Sequence, residues 1–316
     1  MRPFTYERAT DAASAVKAVS DNPNARFLAG GTNLLDLMKL EIEHPTHLVD
    51  VGRLPLAAIE ETADGGLRIG AMATNSLVAA DPRVRARYPV LAQAIIHGGS
   101  PQLRNKATVG GNLMQRTRCA YFYDTTKPCN KRQPGAGCSA LEGLNRNAAI
   151  LGASEHCIAT NPSDMSVALT ALGAGVEAMT ATGAVRALTV ADLHLAPGDT
   201  PHIETALSVG ELITAVTLPP APTGGQVYRK ARDRASYAGG LAMVAVAGGQ
   251  IALGGVAYKP WRALKAEAAL AAGQTPAAAA EAELADARDS GRNAFKIALT
   301  TRLTVAAIAQ AQGGKS

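Results

Sequence analysis

The sequence predicts an α+β protein with three consecutive regions, and three observations carry this prediction. Short strand-like runs alternate with helical patterns at the start, a longer mixed region follows, and the last part places its strands before its helices. Pro219-Pro220 and Gly224-Gly225 mark a linker between the mixed region and the last part. We therefore expect regions at residues 1–53, 54–220 and 221–316.

The first region is predicted to be a small α/β unit. Asp11 is a candidate N-cap for an amphipathic helix that ends before Pro23. A second helical pattern follows Gly30-Gly31 directly, so a glycine turn should connect a strand to a helix there. The predicted strands are 4–7, 26–29 and 46–51, and the predicted helices are 11–19 and 34–41.

The other two regions differ in how strands and helices are ordered. In the mixed region we predict strands at 67–71, 176–179 and 212–217 and helices at 89–97 and 165–172. After the linker, apolar strands are expected before alanine-rich helices whose apolar positions recur near helical spacing. These strands are 242–247 and 251–256, and the helices are 262–270, 276–288 and 292–311.

The bulk composition is that of a folded protein and excludes several functional classes. Apolar residues make up 47% of the chain and charged residues 18%, close to ordinary globular domains. The net charge of +5 comes from dispersed basic residues, which argues against a nucleic-acid partner. No run approaches the roughly 18 apolar residues of a membrane span, and residues 1–9 lack an apolar signal core. We expect no export signal in this chain, hence a cytoplasmic location, or a periplasmic one if it is exported folded with a signal-bearing partner.

Two glycine loops share the same chemistry and are candidates for binding phosphate. Residues 29–34 read AGGTNL and residues 107–112 read ATVGGN. Backbone N–H groups at a strand-to-helix turn favour an anion, and glycine lets a phosphate approach the main chain. One Gly-Gly pair is also typical of an ordinary turn, but two loops suit a dinucleotide with two phosphates. The spacing is not the three-glycine fingerprint of a Rossmann domain.

Together with two further stretches, these loops resemble a known family. The stretches are Asn161-Pro162-Ser163-Asp164 and residues 228–238, YRKARDRASYA. The chain resembles, from Phe4 to its last helices, the FAD-binding subunits and domains of xanthine dehydrogenase, carbon monoxide dehydrogenase and related aldehyde oxidoreductases. This implies a two-part FAD-binding domain of the vanillyl-alcohol oxidase and CO dehydrogenase flavoprotein type. It also implies a C-terminal α+β domain similar to that of the CO dehydrogenase flavoprotein, with a three-stranded sheet and helices.

The resemblance also implies which residues contact FAD. Both loops would bind the pyrophosphate, Asp164 would bond the ribose or adenosine portion, and Lys230 would lie near the flavin ring, where a cation stabilises the anionic reduced form. Asp164 also suits the first turn of a helix, and the basic run around Lys230 also suits a surface strand or subunit interface. No catalytic residue is predicted. The implied set is Leu28, Ala29, Gly30, Gly31, Thr32, Asn33, Leu34, Ile69, Gly70, Ala71, Thr74, Ala107, Thr108, Gly110, Gly111, Asn112, Asp164 and Lys230.

All four cysteines lie in one segment, at Cys119, Cys129, Cys138 and Cys157. Nine, eight and eighteen residues separate them, so the C-x-x-C pairs of zinc fingers and thioredoxins are absent. Prolines and glycines predict an irregular loop over about 115–158. Two disulfides, a zinc ion or a 4Fe-4S cluster would each use four cysteines, and their spacing alone does not choose.

The cysteine segment resembles one subset of the family, the bacterial periplasmic-type aldehyde oxidoreductases and the hydroxybenzoyl-CoA reductases. That resemblance implies that all four cysteines hold an added 4Fe-4S cluster, which an electron-transfer subunit can use and zinc cannot replace. Six residues separate Asn112 from Cys119, so the segment should begin close to the flavin and disfavour NAD as acceptor. Six basic residues could offset the cluster's charge: Arg116, Arg118, Lys127, Lys131, Arg132 and Arg146.

The expected function is electron transfer within a larger enzyme. The resemblance implies that substrate is oxidised at a molybdenum cofactor on a large partner subunit. Electrons then cross 2Fe-2S clusters on a small partner subunit and reach the FAD and an external electron acceptor. This chain has too few cysteines for those further clusters, so we expect a heterotrimer or larger assembly. Two alternatives remain open: a self-contained FAD oxidoreductase, and a non-enzymatic FAD-fold scaffold with structural zinc or disulfides.

Overall fold

Three β-sheets organise the chain, and the computed structural model describes residues 1–313. The first sheet is parallel with strand order β1-β3-β2. Asp11 caps the first helix, because its side chain accepts a hydrogen bond from the Ser14 N–H at 2.7 Å. The elements are β1 (Thr5–Arg8), α1 (Ala12–Asp21), β2 (Ala25–Leu28), α2 (Leu34–Lys39) and β3 (His47–Asp50).

The second sheet has five strands in the order β4-β5-β8-β6-β7, and each neighbouring pair is antiparallel. The last strand of this region, β8, lies between β5 and β6 and therefore closes the region. The strands are β4 (Ile59–Glu61), β5 (Leu67–Gly70), β6 (Gly175–Met179), β7 (Val185–Thr189) and β8 (Leu212–Leu218). The helices are α3 (Asn75–Ala80), α4 (Pro82–Arg87), α5 (Pro89–His97), α6 (Pro101–Arg104), α7 (Val109–Leu113), α8 (Ala120–Tyr123), α9 (Asp164–Ala171) and α10 (Val190–Leu193).

The third sheet is antiparallel with four strands in the order β12-β11-β10-β9, and three helices cover one side of it. The expectation of three strands was wrong, because β12 is only two residues long and carries no pattern. The strands are β9 (Gln226–Ala231), β10 (Ala242–Ala247), β11 (Gln250–Gly254) and β12 (Trp261–Arg262). The helices are α11 (Leu264–Ala271), α12 (Pro276–Leu284) and α13 (Phe295–Ala311).

Strand β10 lies between the two main apolar cores. All six of its residues are buried, and successive side chains of a strand point to opposite faces. Met243, Ala245 and Ala247 pack into the core that contains α9, whereas Ala242, Val244 and Val246 pack into the core under α13. In residues 1–313, no helix has the length and hydropathy required to cross a membrane.

Candidate functional site

A cavity of about 580 Å³ lies where the first region meets the second. This volume falls within the range of roughly 300–1,000 Å³ that is usual for cofactor and ligand sites. Most of its wall comes from five separated stretches of the chain, residues 26–34, 108–117, 131–132, 159–162 and 194–213. The remaining lining residues are Leu37, Ile42, Glu43, Val51, Met72 and Tyr258.

The first glycine loop touches the backbone that leads into the second. A Cβ built on Gly30 would lie 2.8 Å from the Lys106 carbonyl carbon and 3.2 Å from the Ala107 Cα, and closer still to the Lys106 carbonyl oxygen. Gly31 has φ +73°, a conformation that side chains other than glycine rarely adopt. The two glycines therefore allow the loops to meet at one edge of the cavity.

The second glycine loop is held by the segment that follows β5. The Gly110 N–H donates to the Ala71 carbonyl at 2.9 Å, and Thr74 forms an antiparallel bridge with Thr108. The Thr108 hydroxyl accepts from the Gly111 N–H at 3.2 Å and caps helix α7. Ala71 and Thr74 thus support this loop from behind, outside the cavity lining.

The structure brings half of the expected FAD contacts to the cavity wall. The lining residues among them are Ala29, Gly30, Gly31, Thr32, Asn33, Leu34, Thr108, Gly110 and Gly111. The other nine do not line it: Leu28, Ile69, Gly70, Ala71, Thr74, Ala107, Asn112, Asp164 and Lys230.

Asp164 and Lys230 bond to each other outside the cavity lining. The Lys230 Nζ lies 2.8 Å from one Asp164 carboxylate oxygen and also donates to the His97 carbonyl at 2.9 Å. The Tyr228 hydroxyl donates to the same carboxylate at 2.6 Å. Burial raises the pKa of Asp164, and the Lys230 charge opposes that rise. In this structure the pair connects β9 to the start of α9.

The segment before α9 reaches both the cavity and the second loop. Asn161 and Pro162 line the cavity, and the Ser163 hydroxyl donates to the Asn112 side-chain oxygen at 2.6 Å. Ser163 also caps α9. The NPSD motif therefore positions the second loop as well as starting a helix.

Within the described residues 1–313, two buried polar atoms of cavity-lining residues lack a partner. The Asn33 side-chain oxygen accepts from the Arg116 N–H at 3.0 Å, which leaves its Nδ2 unpaired. His194 bonds to the Leu113 carbonyl through Nε2 at 3.0 Å, and its Nδ1 is unpaired. Because unpaired buried polar atoms are rare in folded proteins, these two suit a polar ligand such as FAD.

Sequence reasoning missed part of the cavity wall. It includes His194, His202 and Glu204, which lie on an irregular stretch between α10 and β8. No motif marks them in the sequence. The available signal was indirect: β8, which follows this stretch, pairs with β5, and the segment after β5 supports the second glycine loop.

The four cysteines converge on a second, small cavity. Cys119, Cys129, Cys138 and Cys157 all line it, and all four are free thiols. It measures about 10 Å³, room for about one water, so a cluster would require the surrounding loops to open outward. No group of three or more His, Cys, Asp or Glu residues within 1–313 is arranged to hold a single metal ion.

The two cavities share a wall. Thr117, Lys131 and Ala159 line both of them. Burial raises the pKa of Cys157 to about 11, and the charge of Lys131 acts in the opposite direction. Burial likewise raises the pKa of Cys119. Metal or cluster binding here must therefore displace protons from the thiols.

Comparison with known proteins identifies the class. Residues 2–221 match the family described as the FAD binding domain in molybdopterin dehydrogenase. The chain therefore belongs to this family, the flavoprotein components of molybdenum hydroxylases, and the FAD cofactor that the resemblance implied is confirmed.

Individual relatives agree with this class. The chain is 54% identical to the aldehyde oxidoreductase FAD-binding subunit PaoB of Escherichia coli K12, with 99% of each chain covered. It is 29% identical to the glyceraldehyde dehydrogenase medium chain of Sulfolobus acidocaldarius, over 84% of this chain and 79% of that one.

Solved structures confirm the α+β fold of the CO dehydrogenase flavoprotein type. Carbon monoxide dehydrogenase from Hydrogenophaga pseudoflava, lacking the Mo-pyranopterin moiety of its molybdenum cofactor, matches with a TM-score of 0.76 at 25% identity, covering 99% of this chain and 98% of that one. Reconstituted CO dehydrogenase from Oligotropha carboxidovorans matches with a TM-score of 0.74 at 25% identity over the whole of both chains.

Proposed function

We propose that this chain is the FAD- and 4Fe-4S-containing electron-transfer subunit of a molybdenum-dependent aldehyde oxidoreductase. The observation that carries the proposal is the shared wall, which sets four converging cysteines beside the cavity of an FAD-binding fold. The aldehyde assignment is supported by the 54% identity, over nearly the whole chain, to an aldehyde oxidoreductase FAD-binding subunit.

The nine cavity-lining residues of the two glycine loops would hold FAD. Backbone N–H groups of both loops would meet the pyrophosphate, and the unpaired Asn33 Nδ2 would donate to the cofactor. Bound FAD accepts electrons singly or in pairs and passes them on. Asp164 and Lys230, outside the cavity lining, would support the site by holding the start of α9, and a direct contact of either residue with FAD would show as lower FAD affinity at unchanged stability of its variant.

Cys119, Cys129, Cys138 and Cys157 would hold the 4Fe-4S cluster. Four cysteine thiolates can hold either a zinc ion or a 4Fe-4S cluster, and we favour the cluster because it adds a redox function to an electron-transfer subunit and zinc does not. The cluster supplies a one-electron carrier beside the flavin.

The partners and acceptor follow from the same assignment. A large subunit with the molybdenum cofactor and a small subunit with 2Fe-2S clusters would complete a heterotrimer or larger assembly. The external acceptor would not be NAD. The cysteine segment contributes Arg116, Thr117, Lys131 and Arg132 to the cavity wall, so it would lie beside the flavin, where NAD would have to approach. Turnover of NADH or NADPH by the isolated chain would instead favour a self-contained oxidoreductase.

The test is iron and sulfide analysis of anaerobically purified protein, with low-temperature EPR after reduction. We expect about four irons and four sulfides per chain and a signal from a reduced cluster. Cys138→Ser should lose most of the iron, whereas the neighbouring Ser139→Ala should keep it. A colourless protein, or one zinc per chain, would contradict the proposal and favour a scaffold.

A further inference from the structure

Arg116 lies in the wall of the larger cavity and contacts parts of the chain that are far apart in sequence. Its backbone N–H donates to the Asn33 side chain of the first glycine loop at 3.0 Å. Its guanidinium pairs with Glu43 and donates through Nε to Glu204 at 2.7 Å. Through Nη2 it also donates to the Lys131 carbonyl in the cysteine segment at 3.2 Å.

The same guanidinium lies over an aromatic ring of the cysteine segment. Its central carbon is 4.6 Å from the centroid of Phe122, which is fully buried. Phe122 packs with Leu37 and Ile42, and partly buried Cys119 and Cys129 pack against this group. Arg116 therefore touches the apolar packing around two cysteines with its side chain, and it touches the loop expected to hold FAD with its backbone N–H.

The charges around Arg116 balance one another. Lys131 Nζ lies 3.3 Å from Glu204, so two cations and two carboxylates form one network. The Arg116 side chain is 21% exposed, and its planar group satisfies three partners and one ring at once. A lysine could not make this set of contacts, because it has one charged nitrogen and no planar face.

Because the side-chain contacts hold the Arg116 backbone in place, and the backbone N–H bonds to the first loop, Arg116 links the order of the cysteine segment to the order of that loop. If a ligand orders one side, the other side has less conformational entropy left to lose when it binds. Such coupling is reciprocal, and it typically changes affinity by 5- to 150-fold, an order-of-magnitude range.

We propose that Arg116 is a positioning residue that couples the two sites, so that an ordered cysteine segment tightens FAD binding and FAD stabilises the cysteine segment. The inference rests on the proposed function, because it requires both cofactors. It concerns Arg116 alone and can fail while that function stands.

A double-mutant cycle on the full-length chain tests the coupling. The FAD dissociation constant is measured by flavin fluorescence for wild type, Cys138→Ser, Arg116→Gln and the double variant. We expect each single change to raise the FAD dissociation constant by about tenfold. The double change should raise it by less than the product of the two single effects, and the shortfall should be at least about fivefold. Multiplicative effects, or unchanged FAD affinity in an iron-depleted Cys138→Ser, would overturn the inference.

Two further variants keep the result interpretable. Arg116→Lys keeps the charge but loses the planar guanidinium with its several donors and its contact with the Phe122 ring, so it should also lose the coupling. It replaces Arg116→Gln in the cycle if that variant does not fold. Arg68→Gln removes another two-pronged ion pair, with Glu177, outside the cavity lining and should leave the coupling with Cys138→Ser intact. An equal loss of coupling in Arg68→Gln would overturn the assignment to Arg116.

A reciprocal measurement separates this inference from the proposed function. Wild-type protein freed of FAD should lose iron to a chelator several-fold faster than FAD-bound protein, and Arg116→Gln should show no such difference. Wild type without iron would contradict the proposed cluster and the coupling together. Iron-containing wild type whose iron loss ignores FAD would overturn only the coupling.

Discussion

Gly30→Ala tests whether the contact between the two glycine loops determines FAD binding. The added Cβ would lie 2.8 Å from the Lys106 carbonyl carbon, whereas carbon atoms normally approach to about 3.5–4.0 Å. The atoms that the Cβ would meet belong to the backbone of Lys106 and Ala107, so no side chain can rotate away to make room, and the loops must separate by about 1 Å. Overpacking of this kind costs about 1–3 kcal/mol. If the cost falls on the FAD-bound arrangement, the dissociation constant should rise by about 5- to 150-fold.

Flavin fluorescence titration of the full-length chain measures this constant, with thermal unfolding of the FAD-free protein as a check on the fold. Gly239→Ala is the matched control, because Gly239 has ordinary φ and no atom of residues 1–313 lies within 4 Å of an added Cβ. It should bind FAD like wild type. If Gly30→Ala also binds FAD like wild type, the loops do not form the phosphate site as argued.

Three further predictions concern buried groups. Asp164→Ala should lower the free energy of unfolding, measured by chemical denaturation, by about 3–5 kcal/mol, because it leaves the Lys230 charge unpaired. Asp164→Leu combined with Lys230→Met should recover much of this loss. Lower FAD affinity at unchanged stability would instead indicate that Asp164 contacts the cofactor directly. Tyr228→Phe removes a hydrogen bond to that carboxylate and should cost about 1.5–3 kcal/mol in the same assay; an unchanged midpoint would contradict the bond. Burial, and to a lesser extent the charge of Arg146, lowers the pKa of Lys296 from 10.5 to about 8. Between these two pH values the unfolded chain binds more protons than the folded chain, so the free energy of unfolding of wild type, relative to that of Lys296→Met, should rise from pH 8 to 10.5. A difference that does not change with pH would refute the pKa shift.

The glycine loops and the cysteine segment could be predicted because their signals are local. Positive φ at Gly31 and the close approach of the backbone at Gly30 both exclude larger residues, so these positions are visible in the sequence as glycines. The helix capped by Asp11 was predictable for the same reason, since its capping residues are three positions apart.

The rest of the site could not be predicted, because it depends on contacts between distant parts of the chain. The residues that meet Arg116 include Glu43 and Glu204, which lie 73 and 88 positions away from it. The short edge strands β4 and β7 were missed, because their exposed positions break the apolar pattern. That Asp164 and Lys230 would bond to each other was equally invisible, since only the pairing of β9 with β10 sets where Lys230 lies.

Strand β10 bears on how the chain can be divided. The family match ends at residue 221, yet Met243, Ala245 and Ala247 beyond it form part of the core around α9. A fragment truncated at that point would leave the core around α9 exposed to water, including the helix that begins at Asp164. The FAD-binding regions and the C-terminal sheet should therefore melt in a single cooperative transition, and proteolysis should not release a stable flavin-binding fragment.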